Sequence, residues 1–291
     1  MVSIIEKILN NKKIYYLHHT LRTKDGFKNI DKYLGSKLPN NLEEIKINFF
    51  KDIYKEKLDQ IAKIKLNKAK DYKKLPLSIK NKELTNFSIQ FTYNTNKIEG
   101  STLSLKDSYS ILEDHITPKK KPLRDIKETE AHQKLFLELF KDKQKINYQN
   151  ILKWHYKLFK ETKNDIAGNI RNYQVGISQS KHKPPLPVEL EAELRDFFKW
   201  YNKYKDSYHP VILSALIHLR FVEIHPFGDG NGRMSRILMN LVLYNYDYPL
   251  FIIDYKNRDS YYNALEKSHT RKDFIPFITW FLNRYLKFIE I

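Results

Sequence analysis

The chain has 291 residues, a formal charge of +18 and no cysteine. That length can bury the core of one large domain or of a domain with an appendage, and the missing cysteine excludes disulfides and thiolate zinc sites. Lysine supplies 42 of the 52 basic residues and arginine only 10, so the surplus reads as a solvated lysine surface; nucleic acid as a partner is the less favoured reading.

Met1 to Lys13 carries a short amphipathic pattern, read as a helical start, with no apolar signal core. No run of about 18 or more uncharged apolar residues follows anywhere, so the expectation is a cytoplasmic protein with no membrane partner. From Ile14 to Gly35, aromatic and β-branched runs flank Asp25-Gly26 and predict a hairpin. Tyr15, Tyr16, His18 and His19 would be its reading face if it bound a target or nucleic acid. The favoured reading is a small β appendage packed on the next helix, because two strands alone are marginal.

Asn41 to Lys74 is lysine-rich with Phe50, Tyr54, Leu58 and Ile61 at helical spacing, which predicts one long amphipathic helix. Leu75-Pro76-Leu77 interrupts it and sets the expected division. Residues 1–75 form an appendage of unassigned role and residues 76–291 the main domain. A helix over 77–99 then ends at Gly100, a plausible C-cap. Glu99 is slightly unfavourable at a helix C-terminus, a cost that implies a partner.

Three helices are expected over Ser104–Asp114, Lys127–Phe140 and Tyr148–Lys160, with His132 and His155 as core or surface residues and not ligands. Ala167 to Ile177 breaks the pattern, and the alternation of Ile170, Val175 and Ile177 predicts a short β-hairpin continuing toward Pro184-Pro185. Helix returns from Val188 to Tyr204.

The most informative stretch is His225-Pro-Phe-Gly-Asp-Gly-Asn-Gly-Arg-Met-Ser-Arg236, which holds three of the eight glycines. It lies between an apolar helix, ended at His225 by Pro226, and a second helix starting at Gly230-Asn231-Gly232. Free amide donors, the helix dipole and two arginines one turn apart make an anion site. Asp229 is a hard oxygen ligand suited to Mg²⁺, and His225 can take a proton near neutral pH. Arg233 stands where a calcium loop needs an oxygen ligand, and it follows Gly232 where a Walker A loop needs Lys. After this, Asp259 to Leu265 contains Tyr261-Tyr262, and Phe274 to Ile289 predicts a closing helix.

The stretch resembles the signature of the Fic (Fido) family, His-x-Phe-x-(Asp/Glu)-Gly-Asn-Gly-Arg-x-x-Arg, at all eight fixed positions. The resemblance runs from the helix before Gly100 to the C-terminus. It implies a mainly α, Fic-type helical core with a short β-hairpin flap, beside the N-terminal β-hairpin and helix appendage. It also implies transfer of AMP from Mg-ATP to a Ser, Thr or Tyr hydroxyl of a target protein. In that reading His225 is the base, Asp229 holds Mg²⁺, Gly230, Asn231 and Gly232 cradle phosphate, and Arg233 and Arg236 clamp it. Phe227 packs inward.

Thr95-Asn-Lys-Ile-Glu99-Gly100 resembles the family's inhibitory motif, which implies that Glu99 pairs with Arg236 and obstructs the ATP γ-phosphate. Val175, Gly176 and Ile177 resemble the target-aligning flap. Tyr261 and Tyr262 resemble the pair that lines the nucleotide pocket, while His269 stands where the family often has asparagine. Homodimers are common among related proteins. The alternatives are another activity of the same fold, such as removal of AMP using Glu99 or other nucleotidyl or phosphoryl transfer, and a basic nucleic-acid-binding regulator reading through Ile14 to Gly35.

Overall fold

The computed structural model describes residues 2–9, 11–23, 26–177 and 180–290. The chain forms two compact units, Met1–Ile64 and Lys65–Ile291. The first holds an antiparallel meander of β1 (Ser3–Leu9), β2 (Lys12–Thr23) and β3 (Gly26–Gly35) in the order β1-β2-β3. Tyr16 stands opposite Ile5 in β1 and Tyr33 in β3, with a register shift between Tyr15 and Tyr16.

The strand period divides the expected reading face. Leu17 and His19 point inward and are buried, His19 against Tyr54 at a ring separation of 6.0 Å. His18 points outward and pairs with Asp31 (2.6 Å), which also accepts Lys7 (3.0 Å).

Two expectations change here. The helical start is β1, because Ile4, Ile5 and Ile8 are β-branched and seven residues are too few for apolar spacing to separate the two periods. The long helix is two, α1 (Leu42–Ile53) and α2 (Lys55–Lys74), divided at Tyr54, where φ −101° and ψ 19° interrupt the ladder. The expected hairpin is present as β2 and β3, while Asp25 in its turn lies outside the described residues.

The second unit is helical. Its described elements are α3 (Leu77–Ile98), α4 (Leu105–Leu112), α5 (Leu123–Leu139), α6 (Tyr148–Phe159), α7 (Leu190–Tyr204), α8 (Pro210–Ile224), α9 (Asn231–Asn245), α10 (Arg258–Arg271) and α11 (Ile275–Ile289). Helix α8 is apolar all round and buried along nearly its whole length, the pattern of a central helix. Helix α9 packs beside it, tied by the buried Ser214 Oγ donating to Met239 O (2.9 Å). The turn between these two helices is therefore held from both sides by the best-buried part of the unit.

Helix α3 packs on α5 through Phe91 and Phe136, with ring centroids 5.2 Å apart. Ile89, Leu103, Ile111, Leu112 and Ile126 extend that contact into α4. No strand occurs among the described residues from 165 to 187. In place of the expected hairpin, an extended loop is braced by side chains. Arg171 donates to Tyr173 O (3.0 Å) and Pro185 O (2.7 Å), and Gln174 to Pro184 O (3.1 Å). Pro184 and Pro185 have no N–H, so a backbone ladder cannot close there. Among the described residues no helix is long and apolar enough to cross a membrane.

Candidate active site

Helix α8 ends where Pro226 predicts. His225 is its C-cap in the left-handed region at φ 52° and ψ 57°. That conformation turns the chain sharply and is held by Arg171, whose Nε donates to His225 O (2.9 Å) and whose own N–H donates to Pro226 O (3.0 Å). Nδ1 of His225 faces Val222 O at 3.3 Å. A carbonyl oxygen can only accept, so this contact places the proton on Nδ1 and leaves Nε2 as the acceptor. Burial depresses the His225 pKa, the backbone bond and Glu99 opposing it, so the ring is neutral at pH 7.

Phe227 is fully buried and stacks on His155, with centroids 3.7 Å apart. His155 accepts from Gly168 N at Nδ1 (2.9 Å) and donates from Nε2 to Asp229 O (3.0 Å), so it fixes both the ring below the loop and the peptide above it. The side chain of Asn231 bridges the loop's other end, accepting from Phe227 N (2.9 Å) and donating to Phe227 O (2.8 Å). Its side chain is thereby committed to the loop. Gly230 is the N-cap of α9 at φ 80°, and a Cβ there would collide with the Phe159 ring.

On one side of this helix start lies a cluster of two carboxylates and two cations. Asp229 accepts from Lys163 Nζ (2.5 Å), Arg233 (3.2 Å) and Gly230 N (2.5 Å). Glu128, from α5, accepts from Lys163 (2.8 Å) and pairs with Arg233. Burial would raise the Asp229 pKa, but Arg233 and Lys163 outweigh it and hold the carboxyl at about 2. Among the described residues no group of three or more His, Cys, Asp or Glu could hold a metal. A lone carboxylate still fits Mg²⁺, which commonly takes its remaining ligands from phosphate and water.

On the other side stands α3. Its last turn closes with Gly100 at φ 92° and Ser101 N donating to Asn96 O (3.0 Å). Asp125 then accepts from both N and Oγ1 of Thr102 (2.8 Å each), which locks the exit of the helix. Glu99 is thereby aimed at α9. Arg236 donates from Nη2 to Glu99 Oε1 (2.5 Å) and from Nε to Thr95 Oγ1 (2.6 Å). A Cβ on Gly232 would collide with Glu99 Oε1, so the carboxylate lies directly against the first turn of α9. A polar cavity of about 110 Å³ opens beside it, lined by Glu99, Arg124, Glu128, Lys163, Asp229 and Arg233 among others.

The tyrosines separate. Tyr261 is buried, bonded to His218 Nε2 (3.0 Å) and beneath Arg236 (3.4 Å), and its ring is packed on Trp280. Tyr262 is 45% exposed and donates to Ile98 O (3.2 Å), so of the pair only it presents a face to solvent. His269 is buried with its ring 4.4 Å from that of His182. Val175 and Ile177 are half-buried and Gly176 exposed in the extended loop, and they make none of the bonds of the cluster. The far end of that loop is anchored by Glu266, which accepts from Ser180 Oγ (2.5 Å) and Lys181 N (3.0 Å).

Sequence reasoning missed Arg171, Glu128 and Lys163, and it read His155 as a core or surface residue without seeing its bonds to the loop. Arginine is scarce in this chain, and one buried beside a Gly-Asn break was a usable signal. Glu128 and Lys163 belong to crowded classes and carried none.

Residues 145–243 match the Fic/DOC family model. A protein adenylyltransferase Fic of Nematostella vectensis is 33% identical over 194 residues, 65% of this chain and 45% of that protein. Its namesake in Drosophila ananassae is 34% identical over 193 residues, covering 65% and 38%. The chain thus spans less than half the length of these curated relatives. A Fic-domain signalling protein from Bacteroides thetaiotaomicron VPI-5482 superposes with a TM-score of 0.69 at 25% identity, over 80% of this chain and 95% of that one. Fic-1 of C. elegans shares the fold, with a TM-score of 0.70 at 24% identity over 87% and 76% of the two chains. The segment 145–243 thus matches the Fic/DOC family model, and it lies in a helical unit with the fold of solved Fic proteins.

Proposed function

We propose that this protein transfers AMP from ATP to a hydroxyl side chain of a target protein, and that Glu99 holds the reaction down. The observation that carries the reading is the seat of Glu99, whose carboxylate lies against Gly232 and on Arg236, where the helix start and the motif arginine would meet phosphate. An anionic oxygen of a nucleotide would use the same donors. The activity named for the relatives belongs to proteins of which the match to this chain covers less than half, and it supports the reading for this chain without deciding it.

The chemistry assigned to the residues is a substitution at the α-phosphorus. Nε2 of His225 takes the proton of the incoming hydroxyl, the hydroxyl oxygen bonds to the α-phosphorus, and the bond to the β,γ-diphosphate breaks, releasing pyrophosphate. The amides of Gly230, Asn231 and Gly232, with Arg233, hold the charge that develops on the phosphate oxygens. Mg²⁺ on Asp229 would add charge neutralisation for those oxygens. Val175, Gly176 and Ile177, in an extended loop tied down by Arg171 and Glu266, are assigned to aligning the target segment by backbone pairing.

Donor labelling tests the reaction type. A Glu99→Gly variant given ATP radiolabelled at the α-phosphorus should transfer label to protein, and ATP labelled at the γ-phosphorus should not. Label from the γ-position would mean phosphoryl transfer and would overturn the adenylyl reading.

A further inference from the structure

We propose that Lys163 is a built-in competitor for the divalent metal at Asp229, so that ammonium and metal alternate on one carboxylate. The inference rests on the adenylyl-transfer reading only for the assignment of Asp229 to the metal.

Both oxygens of Asp229 are already engaged. Oδ1 accepts from Gly230 N (2.5 Å) and Arg233 Nη2 (3.2 Å), and Oδ2 accepts from Lys163 Nζ (2.5 Å). A magnesium ion would sit about 2.0–2.1 Å from its oxygen ligand, so on Oδ2 it would compete with the ammonium for the same oxygen. Charge gives the same answer. Glu128 and Asp229 balance Lys163 and Arg233, so the group offers a dication no net negative charge until one cation withdraws.

Only one of the two can withdraw. Arg233 is 5% exposed and sits in α9; both cations lie over the Phe159 ring, the guanidinium 4.5 Å and the Lys163 ammonium 5.1 Å from its centroid, so burial and stem separate them. Lys163 is 23% exposed, in the turn after α6, on a flexible four-carbon stem. Its backbone stays fixed, because Lys163 O accepts from Ile166 N (3.2 Å) and Ala167 N (3.1 Å). Its ammonium can release Asp229 and keep Glu128, with which it is already paired at 2.8 Å. The exchange needs side-chain rotation alone.

The test uses the full chain and Mn²⁺ alone as a paramagnetic probe, with free Mn²⁺ counted by electron paramagnetic resonance. Lys163→Met and Lys163→Gln should each bind Mn²⁺ about tenfold more tightly than wild type, the scale expected when one competing charge beside the carboxylate is removed. Asp229→Asn should abolish the gain in either background, and Lys163→Arg, which keeps the charge, should show no gain. Unchanged or weaker Mn²⁺ binding in both neutral variants, at unchanged melting temperature, would overturn the proposal. Tighter Mn²⁺ binding with no AMP transfer by Glu99→Gly would leave the competition standing and remove the adenylyl reading. AMP transfer with unaltered Mn²⁺ binding would remove only the role of Lys163.

Discussion

Glu99 Oε1 lies 2.5 Å from Nη2 of Arg236, and Arg236 is among the largest fully buried side chains of the described residues. A buried guanidinium needs acceptors, and here Thr95 Oγ1 supplies one at 2.6 Å and Thr95 O another at 3.3 Å. The clamp is therefore a three-residue device in which Thr95 and Glu99, one turn apart at the end of α3, hold Arg236 of α9.

Removing the hydroxyl should loosen that device without touching the carboxylate. Thr95→Val leaves Nε of Arg236 buried without its partner, at a cost of about 1–3 kcal/mol. Urea unfolding should show that loss, and an unchanged midpoint would mean that the bond contributes nothing to stability.

Gly230 should tolerate no side chain. At φ 80°, with the Phe159 ring in the path of a Cβ, Gly230→Ala combines backbone strain and a clash with an aromatic ring. We expect a loss of about 2–4 kcal/mol in chemical denaturation. Gly176→Ala, which meets nothing within 4 Å and has no positive φ, is the control and should be neutral.

Arg171 is assigned a positioning role. It holds the carbonyl of His225 and that of Pro185 together, so it couples the base to the extended loop. Arg171→Lys keeps the charge and loses the fork. In a Glu99→Gly background the variant should lower kcat about 10- to 100-fold with little change in KM for ATP. A change in KM alone would mean that Arg171 serves nucleotide binding.

Helix α8, the motif turn and α9 were legible because Pro226, the glycine cluster and apolar spacing all mark the same boundary. The end of α3 was legible for the same kind of reason, since Gly100 follows an acid that a helix C-terminus disfavours. The first strand and the extended loop were not. Ser3 to Leu9 is too short to distinguish strand from helix by spacing, and the loop is set by Arg171 reaching residues fourteen positions away. The Lys163 and Glu128 cluster depends on α5, α6 and α9 meeting in space, which no local pattern encodes.

The pH response follows from the histidines. His225 has its pKa lowered from the ordinary value, mainly by burial, so AMP transfer should rise with pH and level off with a midpoint below about 6.5. His132 is pushed down to about 3 and His155 to about 4, burial being the first cause in each. The unfolded chain therefore binds their protons first as pH falls below about 6.5, and native stability drops through the window down to their folded values. Each contributes a slope approaching 1.4 kcal/mol per pH unit. Stability that stays flat from pH 7 to 4.5 would contradict burial of these rings in neutral form.

The central claim is that Glu99 occupies the phosphate seat of an adenylyltransferase whose base is His225. Its most direct test is intact mass after incubating wild type, Glu99→Gly and Glu99→Gly/His225→Ala with Mg²⁺ and ATP. One added AMP on Glu99→Gly, absent from the other two, is the predicted result. Equal AMP addition to wild type and Glu99→Gly, or addition that survives His225→Ala, would contradict it.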